Sequence, residues 1–477
     1  MAATTLRHEY ANTGWVPAAL AMVALAVGSG YALAVGELAG LYIALALLGS
    51  VAVLLDFRVG AVLLLLMLPM SPSDLFPRTL MQVPGLNPLN LLVAATVGSY
   101  VISGQARRAG PVLRQQMVWL YILPMCVAAL IGMPHLREIP LLITPAGSAL
   151  GQFANERGYL VVTLLKGIVI VAIALMIGAA AARSRKPEGF IVALAASAWI
   201  IALIQLGFTL LMGMPLAEMA SPDARDFYAP IGMHANTLGR IHLSALALLL
   251  FVWADCRQPR MRLFLMLTLG VVAMALLLTF SRAAIGGAAL VGVLFLVWKF
   301  NVRSLSLALL GLALIALLGG AAIWARLTLG FNEGANAVSA DRINGLWLPL
   351  LPELWKSPLW GHGLNSILWS FPMQNGVIDP VGHPHNAYLE AMLDMGIVGL
   401  GLTLAYFAHV WKGFRALSKD AALSPEMRAL FQGATACLCA FFLTCLVGGS
   451  LRPGAEAAYL WIAIGLMYGM LARRPAK

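Results

Sequence analysis

The sequence predicts an all-α integral membrane protein that crosses the bilayer many times. Of its 477 residues, 61% are hydrophobic and only 11% are charged, whereas soluble proteins carry roughly 25% charged residues. Long apolar runs alternate with short basic connections, and one spanning helix needs about 20 residues. The chain therefore holds about 12–14 transmembrane helices, and its composition excludes a water-soluble enzyme, a disordered chain and a fibrous repeat.

The individual helices are predicted from apolar runs. In chain order these runs lie at about 15–34, 37–55, 59–71, 88–104, 117–133, 159–182, 189–213, 238–254, 262–280, 283–300, 304–323, 385–411, 428–447 and 456–472. The run at 59–71 is short and predicts a half-span or a re-entrant segment.

Basic residues predict how the helices are oriented. Of the 31 lysines and arginines, 20 fall on alternate connections and at the two ends of the chain. They are Arg7, Arg58, Arg107, Arg108, Arg114, Arg183, Arg185, Lys186, Arg257, Arg260, Arg262, Lys299, Arg303, Lys412, Arg415, Lys419, Arg428, Arg473, Arg474 and Lys477. Because such residues collect in cytoplasmic loops, both termini are predicted inside a bacterial-type inner membrane. The same rule explains the net charge of +11 without a nucleic-acid partner.

The opposite, periplasmic side is predicted to carry the connections 72–87, 134–158, 214–237 and 324–384. The last is the longest, and it divides the chain into an N-terminal membrane bundle (1–323), a large loop (324–384) and C-terminal membrane helices (385–477). Loops of such length are usually functional or disordered.

A helical pattern and the tryptophans Trp347, Trp355, Trp360 and Trp369 indicate that the 324–384 loop is ordered. The leucines Leu346, Leu350 and Leu354 recur at helical spacing. Tryptophan favours the headgroup zone, so we expect an amphipathic helix on the outer membrane surface.

The first candidate site closes this loop, in the run His383-Pro384-His385-Asn386-Ala387-Tyr388-Leu389-Glu390. Pro384 suits the first turn of a helix, which would place His385 at a helix N-terminus on the periplasmic face. A helix N-terminus attracts anions and disfavours imidazolium, so the ring stays neutral and able to accept a proton. The alternative is a histidine that only caps the helix.

The second and third candidates are arginines on the same face. Ser281 is predicted as an N-cap, so Arg282 lies in the first helical turn, where a cation opposes the helix dipole. An anionic ligand would explain that arrangement, although a snorkelling arginine is the alternative. Arg342 precedes Trp347 and the run 358–363, and Asp341 offers it a structural partner instead.

Weaker signals complete the set. His234, Asn236 and Arg240 lie near the outer surface, and Lys166 and Asp394 lie inside apolar runs. Ionisable groups at membrane depth are functional candidates by default. Asp394 is predicted to neutralise either Lys166 or one of the arginines.

The motifs that the sequence lacks limit the kinds of reaction that the protein can catalyse. The sequence has no phosphate-binding G-x-x-x-x-G-K-[ST] loop, and the acidic residues of the outer face form no metal-like cluster. If a phosphorylated group leaves at this site, arginines must stabilise its charge without a metal or other cofactor.

In their order along the chain, these residues resemble the O-antigen ligase and polymerase family. The resemblance rests on Ser281-Arg282, Arg342 with Trp347, Pro358 with Gly361-x-Gly363, the run 383–390 and Gly396-Ile397-Val398-Gly399, and it covers about residues 230–400. It implies a fold similar to lipid-dependent membrane glycosyltransferases and a metal-independent, inverting transfer of a glycan from undecaprenyl diphosphate to a hydroxyl. For a ligase, that hydroxyl belongs to the lipid A core oligosaccharide.

Carried onto this chain, the resemblance implies His385 as the general base, with His383 as the fallback. Arg282 and Arg342 match the arginines that engage the diphosphate, and we add Arg240 and Lys166 as further diphosphate-binding candidates. The predicted supporting residues are Ser281, Asn386, Tyr388, Glu390, His234 and Asn236.

The leading hypothesis is an O-antigen ligase. An O-antigen polymerase and a protein O-oligosaccharyltransferase of the same family remain alternatives, because the motifs do not separate them. A hypothesis of another class is a secondary transporter or flippase that uses Lys166, Arg240 and Asp394 as a charge relay.

Overall fold

The structure is a computed structural model that describes residues 49–74, 79–80, 83–84, 87–103, 112–140, 153, 155–221, 223–300, 302, 305–306 and 320–473. The regular elements of these residues are helices, apart from a two-residue antiparallel ladder of β1 (Thr79–Leu80) and β2 (Val83–Pro84). The predicted helix at 15–34, most of the one at 37–55 and most of the one at 304–323 lie outside the described residues.

Twelve longer helices are numbered here in chain order. They are α1 Phe57–Met67, α2 Pro88–Ile102, α3 Gln115–Glu138, α4 Glu156–Arg183, α5 Gly189–Met212, α6 Ala235–Asp255, α7 Pro259–Leu277, α8 Arg282–Trp298, α9 Leu348–Lys356, α10 Ala387–Ser418, α11 Pro425–Cys445 and α12 Ala458–Arg473. Short helical turns join them at Leu68–Met70, Leu216–Met219, Asp223–Asp226, Ala229–Ile231, Ala335–Val338, Ile343–Trp347, Ser366–Trp369, Phe371–Gln374 and Ala455–Ala457.

Every predicted apolar run that falls within the described residues forms a helix. Eight of these helices are long and apolar enough to cross a membrane, and three shorter apolar ones correspond to α1, α2 and α8. The prediction of an all-α polytopic membrane protein is confirmed. Backbone polar groups inside hydrocarbon must be satisfied within a segment, which is why the apolar runs become helices.

The predicted amphipathic helix of the long loop is also present, as α9. Leu350 on one face of α9 is buried, whereas Trp355 is 82% exposed. Pro352 lies inside this helix, and a π-helical turn, Ile343–Trp347, leads into it.

Helices α6, α11 and α12 lie in the centre of the bundle and are largely buried. Small residues allow their backbones to approach closely. A Cβ added at Gly178 of α4 would lie 2.1 Å from the carbonyl oxygen of Gly465 in α12, and one added at Gly433 of α11 would lie 2.6 Å from that of Ala247 in α6.

The starts of α6, α8 and α10 and the end of α11 meet at one end of the bundle, which we call the His385 end. The Ser281 hydroxyl, at the start of α8, donates to Asn236 of α6 at 2.8 Å. The Tyr388 hydroxyl, in the first turn of α10, donates to the carbonyl of Phe442 near the end of α11 at 3.0 Å. The end of the long loop, with His383 and His385, therefore lies near the starts of these helices.

Helix α10 is broken at Gly396, which has φ 64° and ψ −173°. The apolar run from 385 to 411 gives no sign of this break. A Cβ at position 396 would lie 2.3 Å from the backbone of Leu359, so only glycine fits there.

Residues 358–364 of the long loop, which we call the inserted loop, fill the break in α10. The amides of His362 and Gly363 donate to the carbonyls of Leu393 and Asp394, before the break. The amides of Ile397 and Val398, after the break, donate to the carbonyls of Pro358 and Leu359. All four distances are 2.8–3.2 Å. The amide of Leu364 donates to Ala128 of α3 at 3.1 Å. Irregular backbone below a helix end is tolerated where protein covers it.

Candidate functional site

The histidine segment ends in a capped helix start. Asn386 is the N-cap of α10, and its side-chain oxygen accepts hydrogen bonds from the amides of Tyr388 and Leu389 at 3.0 and 3.1 Å. Helix α10 begins at Ala387. The prediction that Pro384 occupies the first helical turn is therefore wrong, because Asn386 provides the cap and sets the boundary two residues later. His385 does lie directly before the helix start, as predicted.

His385 is held in a strained backbone conformation with φ 53°. Non-glycine residues rarely adopt this left-handed region, and each instance costs roughly 1–3 kcal/mol. The described residues contain five such cases, namely Phe280, Ala340, Asp341, Asn365 and His385. Phe280 directly precedes Ser281-Arg282, and Ala340 and Asp341 directly precede Arg342. Strain of this kind concentrates at functional sites, and here it adjoins all three main candidates.

The two histidines of the segment contact each other. Their ring centroids lie 4.2 Å apart, and the backbone amide of His385 donates to Nδ1 of His383 at 3.3 Å. Nδ1 of His383 is thus the unprotonated nitrogen of that ring. His385 is half-buried, whereas His383 is exposed.

The surroundings of His385 keep its imidazole neutral. Burial, and then the positive charges of His383, Arg342, Arg240 and His234, lower the pKa of His385 from its ordinary value to about 3. A neutral ring was predicted from the helix dipole, but the larger cause is burial. The pattern of charges also shows that the structure brings Arg240, Arg342 and His234 close to His385.

Arg240 and Arg342 contact the same turn between α11 and α12. Nη1 of Arg342 donates to the carbonyl of Val447 at 2.5 Å. Nη1 of Arg240 pairs with Glu456 at 2.6 Å, and a Cβ at Gly448 would lie 2.3 Å from its Nη2. The glycine therefore leaves room for the guanidinium of Arg240 beside the backbone. The predicted pairing of Arg342 with Asp341 is replaced by the Val447 contact, and Asp341 accepts from Asn336 at 2.8 Å instead.

Arg282 is the first residue of α8, as predicted, and its Nη1 donates to the carbonyl of Leu329 at 3.1 Å. Ser281 occupies the N-cap position but makes no capping hydrogen bond. Its hydroxyl donates to Asn236, so the prediction of a side-chain cap is wrong. Nδ1 of His234 caps α6 by accepting from the amide of Asn236 at 3.1 Å. The start of α8 thus contacts the start of α6, although Arg282 is not among the charged neighbours of His385 in the described part of the chain.

Lys166 lies mid-helix in α4 with an exposed side chain, and it too is absent from the charged neighbours of His385 within the described residues. Asp394 was predicted to neutralise Lys166 or an arginine. It accepts hydrogen bonds from the amides of Asn365 and Ser366 and from the Ser366 hydroxyl, at 2.9–3.0 Å. The cation whose charge acts on it is Arg452.

Sequence reasoning did not single out Arg452 or Glu456. Arg452 forms an ion pair with Glu390 and donates to Asn365 Oδ1 at 2.8 Å. This makes Glu390, a predicted supporting residue, part of a polar network below His385. Both missed residues lie in the connection between α11 and α12, on the face predicted to hold few basic residues, and that anomaly was the available signal.

Part of the chain, including several of these residues, matches a known protein family. Residues 267–404 match a family model, Wzy_C, described as O-antigen ligase. This span includes Arg282, Arg342, His385 and the break at Gly396, whereas Arg240 and Arg452 lie outside it. No curated protein matches the chain. The match confirms the resemblance to the O-antigen ligase and polymerase family.

Proposed function

We propose that the protein is an O-antigen ligase, because residues 267–404 match the O-antigen ligase family model. It transfers O-antigen from undecaprenyl diphosphate to a hydroxyl of the lipid A core oligosaccharide. The observation that carries the proposal is the position of His385, a neutral, half-buried imidazole beside two guanidinium groups. A proton acceptor next to cations suits a reaction in which a hydroxyl attacks and a diphosphate leaves.

The bond changes follow from that arrangement. His385 accepts the proton of the acceptor hydroxyl as its oxygen attacks the anomeric carbon. The bond from that carbon to the diphosphate oxygen breaks, and the electron pair leaves with the diphosphate. A single displacement inverts the anomeric centre. His383 receives its own hydrogen bond through Nδ1, which supports His385 rather than His383 as the base.

Arginines bind the leaving group in this mechanism. Guanidinium can hold phosphate oxygens in bidentate fashion, and charged hydrogen bonds of this kind are roughly twice as strong as neutral ones. The charges of Arg342 and Arg240 act on His385, and Arg282 is the first residue of α8. Lys166 remains a candidate for the diphosphate or its lipid, although it lies on another helix.

Donor binding also changes the pKa of His385 in this mechanism. In the free protein the nearby cations help to lower the pKa of His385 to about 3, which is too low for an efficient base at neutral pH. A bound diphosphate neutralises those cations and thereby raises the pKa of the imidazole.

We place the protein in the bacterial inner membrane with both termini in the cytoplasm and the His385 end facing the periplasm. The distribution of basic residues supports this orientation. The periplasm is where a lipid-linked polysaccharide and a lipid A core meet in the reaction that we propose.

The test is transfer by the purified protein from undecaprenyl diphosphate-linked glycan to core oligosaccharide. His385→Ala should lower the rate about 10²–10⁴-fold, the usual contribution of a general base. His409→Ala is the matched control, because His409 lies in the far half of α10. Near-normal transfer by the His385 variant would remove it as the base.

Complementation separates the ligase from its relatives. In cells that lack their own ligase, the wild-type gene should restore polymer-bearing lipopolysaccharide on gels. Longer lipid-linked chains without transfer to the core would instead show a polymerase. Movement of intact donor across liposomes without cleavage of a glycosidic linkage would show a transporter.

A further inference from the structure

A cavity distinct from the histidine segment lies at the His385 end, beside the inserted loop. Its volume is about 250 Å³, and its walls include His135 and Glu138 at the end of α3, Glu353 and Lys356 of α9, and Trp369 and Phe371 of the long loop. Pockets for drug-sized ligands measure about 300–1,000 Å³. The space therefore suits one small ring rather than a long chain.

Both carboxylates in the wall have a hydrogen-bond partner. Nδ1 of His135 lies 2.8 Å from Glu138, and Nζ of Lys356 lies 2.8 Å from Glu353. The cavity therefore presents paired hydrogen-bond donors and acceptors rather than an isolated charge. An uncharged ligand with several hydroxyl groups matches such a wall.

Aromatic groups form another part of the wall. The ring of His135 stacks on Trp369 with centroids 5.7 Å apart and an angle of 14°. Phe371 is 58% exposed, with Lys356 Nζ 5.4 Å from its centroid. Aromatic faces beside polar groups suit a ligand that has both C–H faces and hydroxyl edges.

We propose that this cavity binds one uncharged pyranose ring of the glycan that the protein handles. The inference rests on the proposed function, because it names a place where that glycan is held. The first half of α10 links the two sites. Helix α10 starts directly after the histidine segment, and Leu393, which lines the cavity, lies about 9 Å further along the axis at 1.5 Å per residue. A short oligosaccharide can reach both.

Binding is tested with the full-length protein in detergent and with methyl glycosides of glucose, galactose, mannose and N-acetylglucosamine as probes. Saturation-transfer NMR should detect contact with at least one of them. Glu138→Gln and His135→Ala should weaken its affinity about tenfold, as for one lost hydrogen bond to a charged group. Glu333→Gln makes the same chemical change at an exposed residue outside the cavity and should leave binding unchanged.

Transfer kinetics show which substrate supplies the ring. A raised KM for the core oligosaccharide in Glu138→Gln assigns the cavity to the acceptor, and a raised KM for the lipid-linked donor assigns it to the donor. Unchanged values of both, or probe binding that is absent or insensitive to the cavity variants, overturns the inference while the ligase proposal stands. Variant-sensitive probe binding without any glycosyl transfer overturns the proposed function and leaves a saccharide site.

Discussion

Two arginines close to the histidine segment, Arg240 and Arg452, have contrasting partners. Arg240 pairs with Glu456, whose side chain is 23% exposed. Arg452 pairs with Glu390 and acts on Asp394, which are only 4% and 2% exposed. Removing Arg240 leaves one accessible carboxylate, whereas removing Arg452 leaves two buried ones. The comparison indicates that the protein depends on Arg452 for stability more than on Arg240, and in our proposal Arg240 is the one that binds the diphosphate.

The largest expected effect is on stability, at Arg452. Arg452→Ala should lower the free energy of unfolding by about 3–5 kcal/mol, because breaking a buried ion pair leaves an uncompensated charge. Chemical unfolding in detergent measures the change. If Arg452→Ala unfolds like the wild type, the network is not structural and the contrast between the two arginines fails.

At Arg240 the effect should fall on activity instead. Arg240→Ala should slow glycosyl transfer about 10²–10³-fold, as for loss of one group that stabilises a leaving anion. Its unfolding free energy should change by about 1 kcal/mol or less, as for a partly exposed pair. A variant with normal transfer would show that the diphosphate does not bind at Arg240.

The third prediction concerns Gly396, at the break in α10. Gly396→Ala should destabilise the protein by roughly 1–3 kcal/mol, because its φ of 64° is strained for alanine and the added Cβ would clash with Leu359. Thermal unfolding of both variants measures it. Gly401→Ala, in the same helix with open space around the added Cβ, should be neutral or stabilising.

The smallest effect is a shift in pH dependence, and it concerns the field of Arg240 and Arg342 on His385. The pKa of His385 is about 3 in the free protein, so its base form persists far below neutrality and kcat/KM should stay flat on acidification. Because the bound diphosphate raises this pKa, kcat should start to fall at a higher pH than kcat/KM does. Coincident acid limbs would contradict the proposed neutralisation.

Much of this was predictable from the sequence, for identifiable reasons. The helices follow from apolar runs, because the bilayer allows such runs few alternatives to a helix. The position of His385 before a helix start follows from local signals, although Asn386 rather than Pro384 sets the boundary. The roles of Arg282 and Arg342, predicted from their place on the outer face and from the family resemblance, stay predictions.

The remaining features depend on contacts between distant segments. Arg452 meets Glu390 and Asn365, which lie 62 and 87 positions away in the chain, and no local pattern encodes that meeting. Gly396 lies in a largely apolar run, and its break becomes visible only with the inserted loop in place. Such features are properties of the assembled bundle.

The inserted loop also fixes the order in which the protein can mature. Its backbone bonds to α3 on one side and to both halves of α10 on the other, and α10 leaves the ribosome long after α3. The inserted loop therefore lacks its hydrogen-bond partners in α10 until α10 has entered the membrane. A nascent chain that has exposed Arg240 and Arg342 therefore still lacks His385 and α10, so the site that we propose is complete only late in synthesis.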